Sequence, residues 1–193
     1  MPEYPLEGRR FDGLVRLESA EPRGMIALRG TPEELSSALE ESVGLAWPAT
    51  GEAAWTGEVG ALWMAPDELL LLVPQGQAQD LVERLGRSLA DRHHLVADVS
   101  DMRTLLRMSG SGCRDVLAKV TPADVSPAGL SIGRVRRSRV GQVAAAIWLR
   151  DGETAEIACF RSVAHYVFDL LADAAHPEAR VDYWTPQGAD AQA

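Results

Sequence analysis

Residues 104–120, TLLRMSGSGCRDVLAKV, decide the fold. Thr104 to Met108 is an apolar run of strand length, and Ser109-Gly110-Ser111-Gly112 has turn chemistry. Cys113, Val116, Leu117 and Val120 then recur at i, i+3, i+4 and i+7, one face of a helix that Pro122 ends. A strand turning directly into a helix is predicted, with Ser111 as its N-cap. The same order stands at residues 24–43, GMIALRGTPEELSSALEESV. Gly24 to Gly30 reads as a strand. Thr31 can cap the next helix, Pro32 suits its first position, and Glu34 sits where a capping-box acid reaches back. Leu35, Ala38, Leu39 and Val43 form its apolar stripe, and it stops by Pro48.

Each strand-helix pair is followed by more strands and a second helix. In the first half, Val59–Met64 and Glu68–Val73 form a hairpin about Pro66-Asp67, and ELLLLV is predicted to be buried on both faces. A helix through 77–90 turns Ala78, Leu81, Val82, Leu85 and Leu89 inward. In the second half, Arg134 to Leu149 is strand broken near Gly141, and Ala155–Phe160 pairs back across Asp151-Gly152. A helix from Ser162 presents Val163, Tyr166, Val167, Leu170, Leu171 and Ala174 to a core. The fold class is α+β, two pseudo-repeated lobes of strand-helix-strands-helix. The boundaries are an extended N-terminal arm (1–23), a first lobe (24–95), a second lobe (96–175) and a C-terminal tail (176–193) anchored at Tyr183 and Trp184. Val96–Met102 serves as the crossover, and the two lobes together form one compact domain.

The 193 residues carry 28 acidic and 19 Lys or Arg side chains, a net charge of −9, which opposes a polyanionic partner unless basic residues are gathered on one face. Lys119 is the only lysine. Cys113 and Cys159 lie far apart in apolar segments and read as buried free thiols. No stretch has signal-peptide or membrane-span length, so a cytoplasmic location is expected.

The motif search finds no catalytic, cofactor-binding or metal-ligating set. Ser109–Gly112 lacks both the third glycine of a dinucleotide loop and the Lys-Ser/Thr of a triphosphate loop. His93-His94 are adjacent and so diverge, and His165 stands alone. Asp98, Asp101, Asp115 and Asp124 show no acid/base pairing. The densest charge is Arg134, Arg136, Arg137 and Arg139. On a strand, Arg137 and Arg139 share a face with Val135, while Arg134 and Arg136 share the other with Ser138. That pattern is either a solvated edge strand or a docking strip for an acidic patch on another protein.

Four segments, GALWMAPDELLLLVP (60–74), DVSDMRTLLRMSGSGCRDVLAKVTPADVSP (98–127), RRSRVGQVAAAIWLR (136–150) and FRSVAHYVFDLLADAA (160–175), resemble in order the gamma subunit of heterotetrameric sarcosine oxidase. The resemblance implies a fold similar to the folate-binding aminomethyltransferase of the glycine-cleavage system. It implies an assembly role beside alpha, beta and delta subunits in a complex that oxidises sarcosine to glycine, with formaldehyde or methylene-tetrahydrofolate and hydrogen peroxide. FAD, FMN, NAD and tetrahydrofolate would then sit on the other subunits, and no catalytic residue carries over to this chain. The alternatives are a stand-alone folate-binding aminomethyltransferase-like protein or a similar subunit of another N-methyl amino acid oxidase or dehydrogenase.

Overall fold

The structure, a computed structural model, describes residues 4–184. In chain order its strands are β1 (Arg10–Asp12), β2 (Arg16–Ser19), β3 (Gly24–Arg29), β4 (Ala53–Thr56), β5 (Val59–Ala65), β6 (Glu68–Val73), β7 (Leu95–Asp98), β8 (Arg103–Ser109), β9 (Val135–Val140), β10 (Val143–Leu149) and β11 (Thr154–Phe160). The helices are α1 (Pro32–Val43), α2 (Ala78–Ser88), α3 (Cys113–Val120) and α4 (Ala164–Ala174). The described residues divide into two compact units, one of residues 4–20, 104–132 and 136–184, the other of 21–103 and 133–135.

The second unit holds a five-stranded sheet ordered β4-β5-β6-β3-β7. Ile26, Leu28, Ala61, Leu69, Leu71 and Val73 pack on one face with the stripes of α1 and α2, namely Leu35, Ala38, Leu39 and Ala78, Leu81, Leu85. Leu70 and Leu72, on the opposite face of β6, are also buried. The uninterrupted leucine run therefore marks burial on both sides, as its lack of alternation predicts. The first unit holds a six-stranded sheet ordered β1-β2-β8-β11-β10-β9. Leu106, Met108, Ile147, Leu149, Ile157 and Cys159 share a core with Val116 and Leu117 of α3 and with Val167, Phe168 and Leu171 of α4.

The two sheets use one wiring. Each unit begins its repeat with a strand and helix (β3 and α1, β8 and α3) and ends it with a strand and helix (β6 and α2, β11 and α4). In each sheet these two strands are neighbours, and two intervening strands extend one flank. On the other flank β7 pairs antiparallel with β3, and β2 pairs antiparallel with β8. The position that the second unit fills with its own last strand is thus filled in the first unit from the N-terminus. The extended N-terminal arm expected over 1–23 is corrected within its described residues, which supply sheet strands and core side chains. Arg16↔Ser109 through Ser19↔Leu106 are in register, and Leu6, Val15 and Leu17 are buried. Strands of three or four residues carry too little periodicity to announce themselves.

Three local expectations also change. Part of the expected crossover, 96–102, lies in β7, which is half-buried at a sheet edge and so lacks a clean apolar run. Thr31 occupies the N-cap of α1 without a side-chain bond, and Gly112 instead of Ser111 is the N-cap of α3. At α1 the Thr31 carbonyl accepts from the amides of Glu34 and Leu35, and Pro32 has no amide to satisfy. In α4 the buried stripe is Ala164, Val167, Phe168, Leu171 and Ala174, while Tyr166 is 45 % exposed. Its hydroxyl closes over Gly141, whose φ of +57° forms the β9–β10 turn and where an added Cβ would stand 2.5 Å from that oxygen.

Candidate functional site

β9 is an edge strand, and the arginines at and just before it differ in exposure. Arg134, just before the strand, donates to the Thr50 carbonyl at 3.4 Å and stands 3.8 Å from the Glu52 carboxylate. Arg136 is half-buried and donates to the Gly129 carbonyl. Arg137 and Arg139 are exposed, with Val135 buried at the start of their face. Two residues apart on one strand face, their side chains leave the backbone roughly 7 Å apart. That arrangement can receive a pair of carboxylates in bidentate fashion.

The other motifs resolve into structural uses. Ser109–Gly112 is a turn in which the Gly110 amide donates to the Glu153 carbonyl at 2.9 Å, so that amide does not face a ligand. His94 Nδ1 lies 2.9 Å from the Arg92 carbonyl. Asp124 accepts from the Ser126 side chain and amide, which hold its carboxyl below the usual range. Asp115 is buried and accepts the amides of Tyr183 at 3.0 Å and Trp184 at 3.2 Å. Of the two expected anchors of the C-terminal segment, Trp184 packs against the first unit's core while the Tyr183 side chain is exposed. Lys119, one turn after Asp115, donates to the carbonyls of Ala174 and Ala179. The chain's only lysine thus ties down the end of α4. Cys113 and Cys159 are buried thiols outside any disulfide, and burial pushes the Cys113 thiol up to about 12. Among the described residues no three His, Cys, Asp or Glu side chains gather as metal ligands, and no helix is long and apolar enough to cross a membrane.

Two constellations escaped the motif search. Glu156 of β11, only 4 % exposed, accepts from the Trp148 indole N–H at 3.0 Å and from Arg107 Nη2 at 2.9 Å and Nε at 3.3 Å. All three side chains lie on the sheet face opposite the helices, and Trp148 and Glu156 are register partners. A lone acid inside the apolar strand AEIAC was the available signal. The second is Arg9, whose guanidinium donates to Asp169 and to His165 Nδ1 at 3.2 Å and lies 4.5 Å from the Phe168 ring centroid. It joins residues 156 apart, which no local pattern reveals.

The profile of the sarcosine oxidase, gamma subunit family matches residues 30–177. The sarcosine oxidase subunit gamma of Arthrobacter sp. is 28 % identical over 175 residues, 86 % of this chain and 84 % of that protein. That of Corynebacterium sp. strain U-96 is 32 % identical over 133 residues, 66 % and 62 % of the respective chains. Among solved structures, a chain of the heterotetrameric sarcosine oxidase from Corynebacterium sp. U-96 superposes with a TM-score of 0.82 at 24 % identity, covering 93 % of this chain and 97 % of that one. The glycine cleavage system aminomethyltransferase T of Bartonella henselae gives 0.61 at 19 % identity, covering 80 % of this chain and 44 % of that one. The likeness to these two structures is one of fold, and it agrees with the aminomethyltransferase-like α+β repeat described above. With three quarters of its length inside the family profile, the chain belongs to the sarcosine oxidase, gamma subunit family.

Proposed function

We propose that the chain is the accessory gamma subunit of a cytoplasmic sarcosine-oxidase assembly, binding the alpha, beta and delta subunits and carrying no catalytic residue of its own. The family match over residues 30–177 carries this reading. In this reading FAD, FMN, NAD and tetrahydrofolate belong to the partner subunits, where sarcosine is demethylated to glycine. The sequence-derived docking strip narrows to Arg137 and Arg139, whose planar forks meet an acidic patch on a partner. Arg134 and Arg136 serve the subunit's own fold through Glu52, Thr50 and Gly129.

The test is co-expression of the tagged chain with alpha, beta and delta subunits, followed by affinity purification. The large subunits are expected to co-elute. Reversing both exposed arginines (Arg137→Glu with Arg139→Glu) is expected to lower their recovery at least about tenfold while stability stays within about 0.5 kcal/mol, as for surface positions. A chain that never co-elutes refutes the subunit reading. Full recovery with the double variant refutes the arginine strip alone.

A further inference from the structure

The two sheets differ at one edge. In the second unit β7 pairs with β3 as Leu95↔Arg29, Val96↔Leu28, Ala97↔Ala27 and Asp98↔Ile26, and the sheet ends there. In the first unit β2 pairs with β8 as Arg16↔Ser109, Leu17↔Met108, Glu18↔Arg107 and Ser19↔Leu106, and β1 lies outside it. Counted back from the glycine that follows each inner strand, Gly30 or Gly110, the registers coincide. Leu95 stands where Arg16 does, Val96 where Leu17, Ala97 where Glu18 and Asp98 where Ser19. The next bond agrees as well: the Ala20 amide donates to the Leu105 carbonyl at 2.9 Å, and the Val99 amide to that of Met25 at 2.8 Å.

Antiparallel bonding alternates along a strand, so these inward bonds turn the amides and carbonyls of Leu17 and Ser19 outward on β2, and those of Val96 and Asp98 outward on β7. The first unit uses its outward row. The Ser19 amide donates to the Arg9 carbonyl at 3.3 Å, and Phe11 stands opposite Leu17, packed against the core. Among the described residues no strand pairs with the outward row of β7. Open edges are ordinarily guarded by charge. Where the first unit has Arg16, however, the second has Leu95, 48 % exposed. Asp98 is exposed too, and its Oδ1 takes both the amide and the hydroxyl of Ser100, which leaves Oδ2 for a cation from outside.

We propose that the outer edge of β7 receives an antiparallel strand of a partner subunit, one with a basic residue opposite Asp98 and, two residues later, an apolar residue opposite Val96. The proposal rests on the subunit reading above and specifies how a partner is held. Main-chain bonds to Val96 and Asp98 supply affinity, and the two side chains supply specificity. Arg9 and Phe11 stand at this same spacing on the filled edge, opposite Ser19 and Leu17. Val96 packs at the margin of its unit's core, so an apolar residue opposite it extends that core. Two copies of a chain of net charge −9 repel each other, which argues against a second copy as the occupant. Residues 1–3 and 185–193 contain no Lys or Arg and do not supply the basic residue.

Hydrogen exchange, read residue by residue by mass spectrometry, is compared between the free chain and its co-expressed assembly with alpha, beta and delta subunits. In the free chain the Ser19 and Val99 amides are expected to be protected, and those of Val96 and Asp98 to exchange at least tenfold faster. In the assembly the Val96 and Asp98 amides are expected to slow at least tenfold. Val96→Pro removes an outward donor and no bond to β3, a change that edge strands tolerate. Asp98→Asn keeps an acceptor for Ser100 and removes the charge. Each is expected to raise the concentration needed for half-assembly at least threefold, with an unchanged circular dichroism spectrum. If Val96→Pro fails to fold, Asp98→Asn and the exchange rates carry the comparison. Co-elution with unchanged exchange at Val96 and Asp98 overturns the proposal and leaves the subunit reading standing, whereas a chain that never co-elutes overturns both. Protection in the free chain that grows with its concentration identifies a second copy as the occupant and overturns the partner strand. Assembly at wild-type strength by the folded variants overturns it as well.

Discussion

Replacing Glu156 by leucine isolates the energetics of the buried carboxylate. In the wild type its oxygens receive three donor contacts, two from Arg107 and one from Trp148, whose side chain is fully buried. Leucine removes the acceptor and leaves the indole N–H unsatisfied, at a cost of about 1–3 kcal/mol. Arg107 also loses its ion pair, but its side chain is 35 % exposed, so water takes over and this share is about 1 kcal/mol or less. The total is about 1–4 kcal/mol, which for a chain of this length lowers Tm by roughly 2–16 °C. Glu156→Gln is expected to lose about half as much, because one amide oxygen still accepts while the NH2 opposes the other donor. Adding Trp148→Phe to Glu156→Leu removes the orphaned N–H itself, so the double variant should be more stable than the sum of the single changes predicts. Urea unfolding of the full chain followed by circular dichroism measures the wild type, Glu156→Leu, Glu156→Gln, Trp148→Phe and the double variant. A Glu156→Leu variant within 1 kcal/mol of wild type, or strict additivity in the double variant, refutes the reasoning.

Asp115→Ala removes the acceptor of the Tyr183 and Trp184 amides, so limited proteolysis is expected to cut near residues 180–184 at least several-fold faster and Trp184 emission to shift to longer wavelength. Cys113, buried with its thiol pushed up to about 12, should stay unreactive toward a thiol-specific disulfide reagent at pH 8 in the folded chain and react fully in denaturant. On the acid side, Asp12 is lowered by its hydrogen bond from Arg10, Asp124 by Ser126 and Asp151 by the Glu153 amide. Each depressed carboxyl contributes stability that is full above the ordinary aspartate value near about 3.9 and is lost as pH falls through the lower folded values. Stability measured from pH 5 to 2 should therefore fall below about pH 4, and Asp151→Asn should reduce that dependence. A variant profile that overlays the wild type refutes it.

Much of the fold was legible because the long elements carry their own periodicity. The α3 stripe, the two-sided β6 and the broken strand at Gly141 follow from spacing and turn residues within windows of ten or so positions. The α4 stripe kept Val167, Leu171 and Ala174, but Ala164 and Phe168 are buried where Val163 and Tyr166 were expected, and Val163 and Leu170 are half-buried. An apolar ring with a polar tip satisfies a helical pattern whether it is buried or lies over a neighbouring turn, and here the Gly141 turn took it. The arginine strip was found as a cluster, yet which of its members are exposed depended on how loops such as that of Gly129 cover the strand. Glu156 was missed because nothing in AEIAC says that an indole and a guanidinium will meet it from two other strands.

The sequence by itself determined the order strand, helix, strands, helix, twice over, since hydrophobic period, helix stops and turn chemistry are local properties of the chain. Tertiary structure alone decided which short segment completes each sheet. β7 closes one flank and β2 closes the equivalent flank of the other, although both are four residues long and lack a distinctive pattern. Their pairing is made by backbone amides and carbonyls, which every residue but proline carries alike. The partner is therefore chosen by which edge is open and within reach, and side-chain identity does not record that choice.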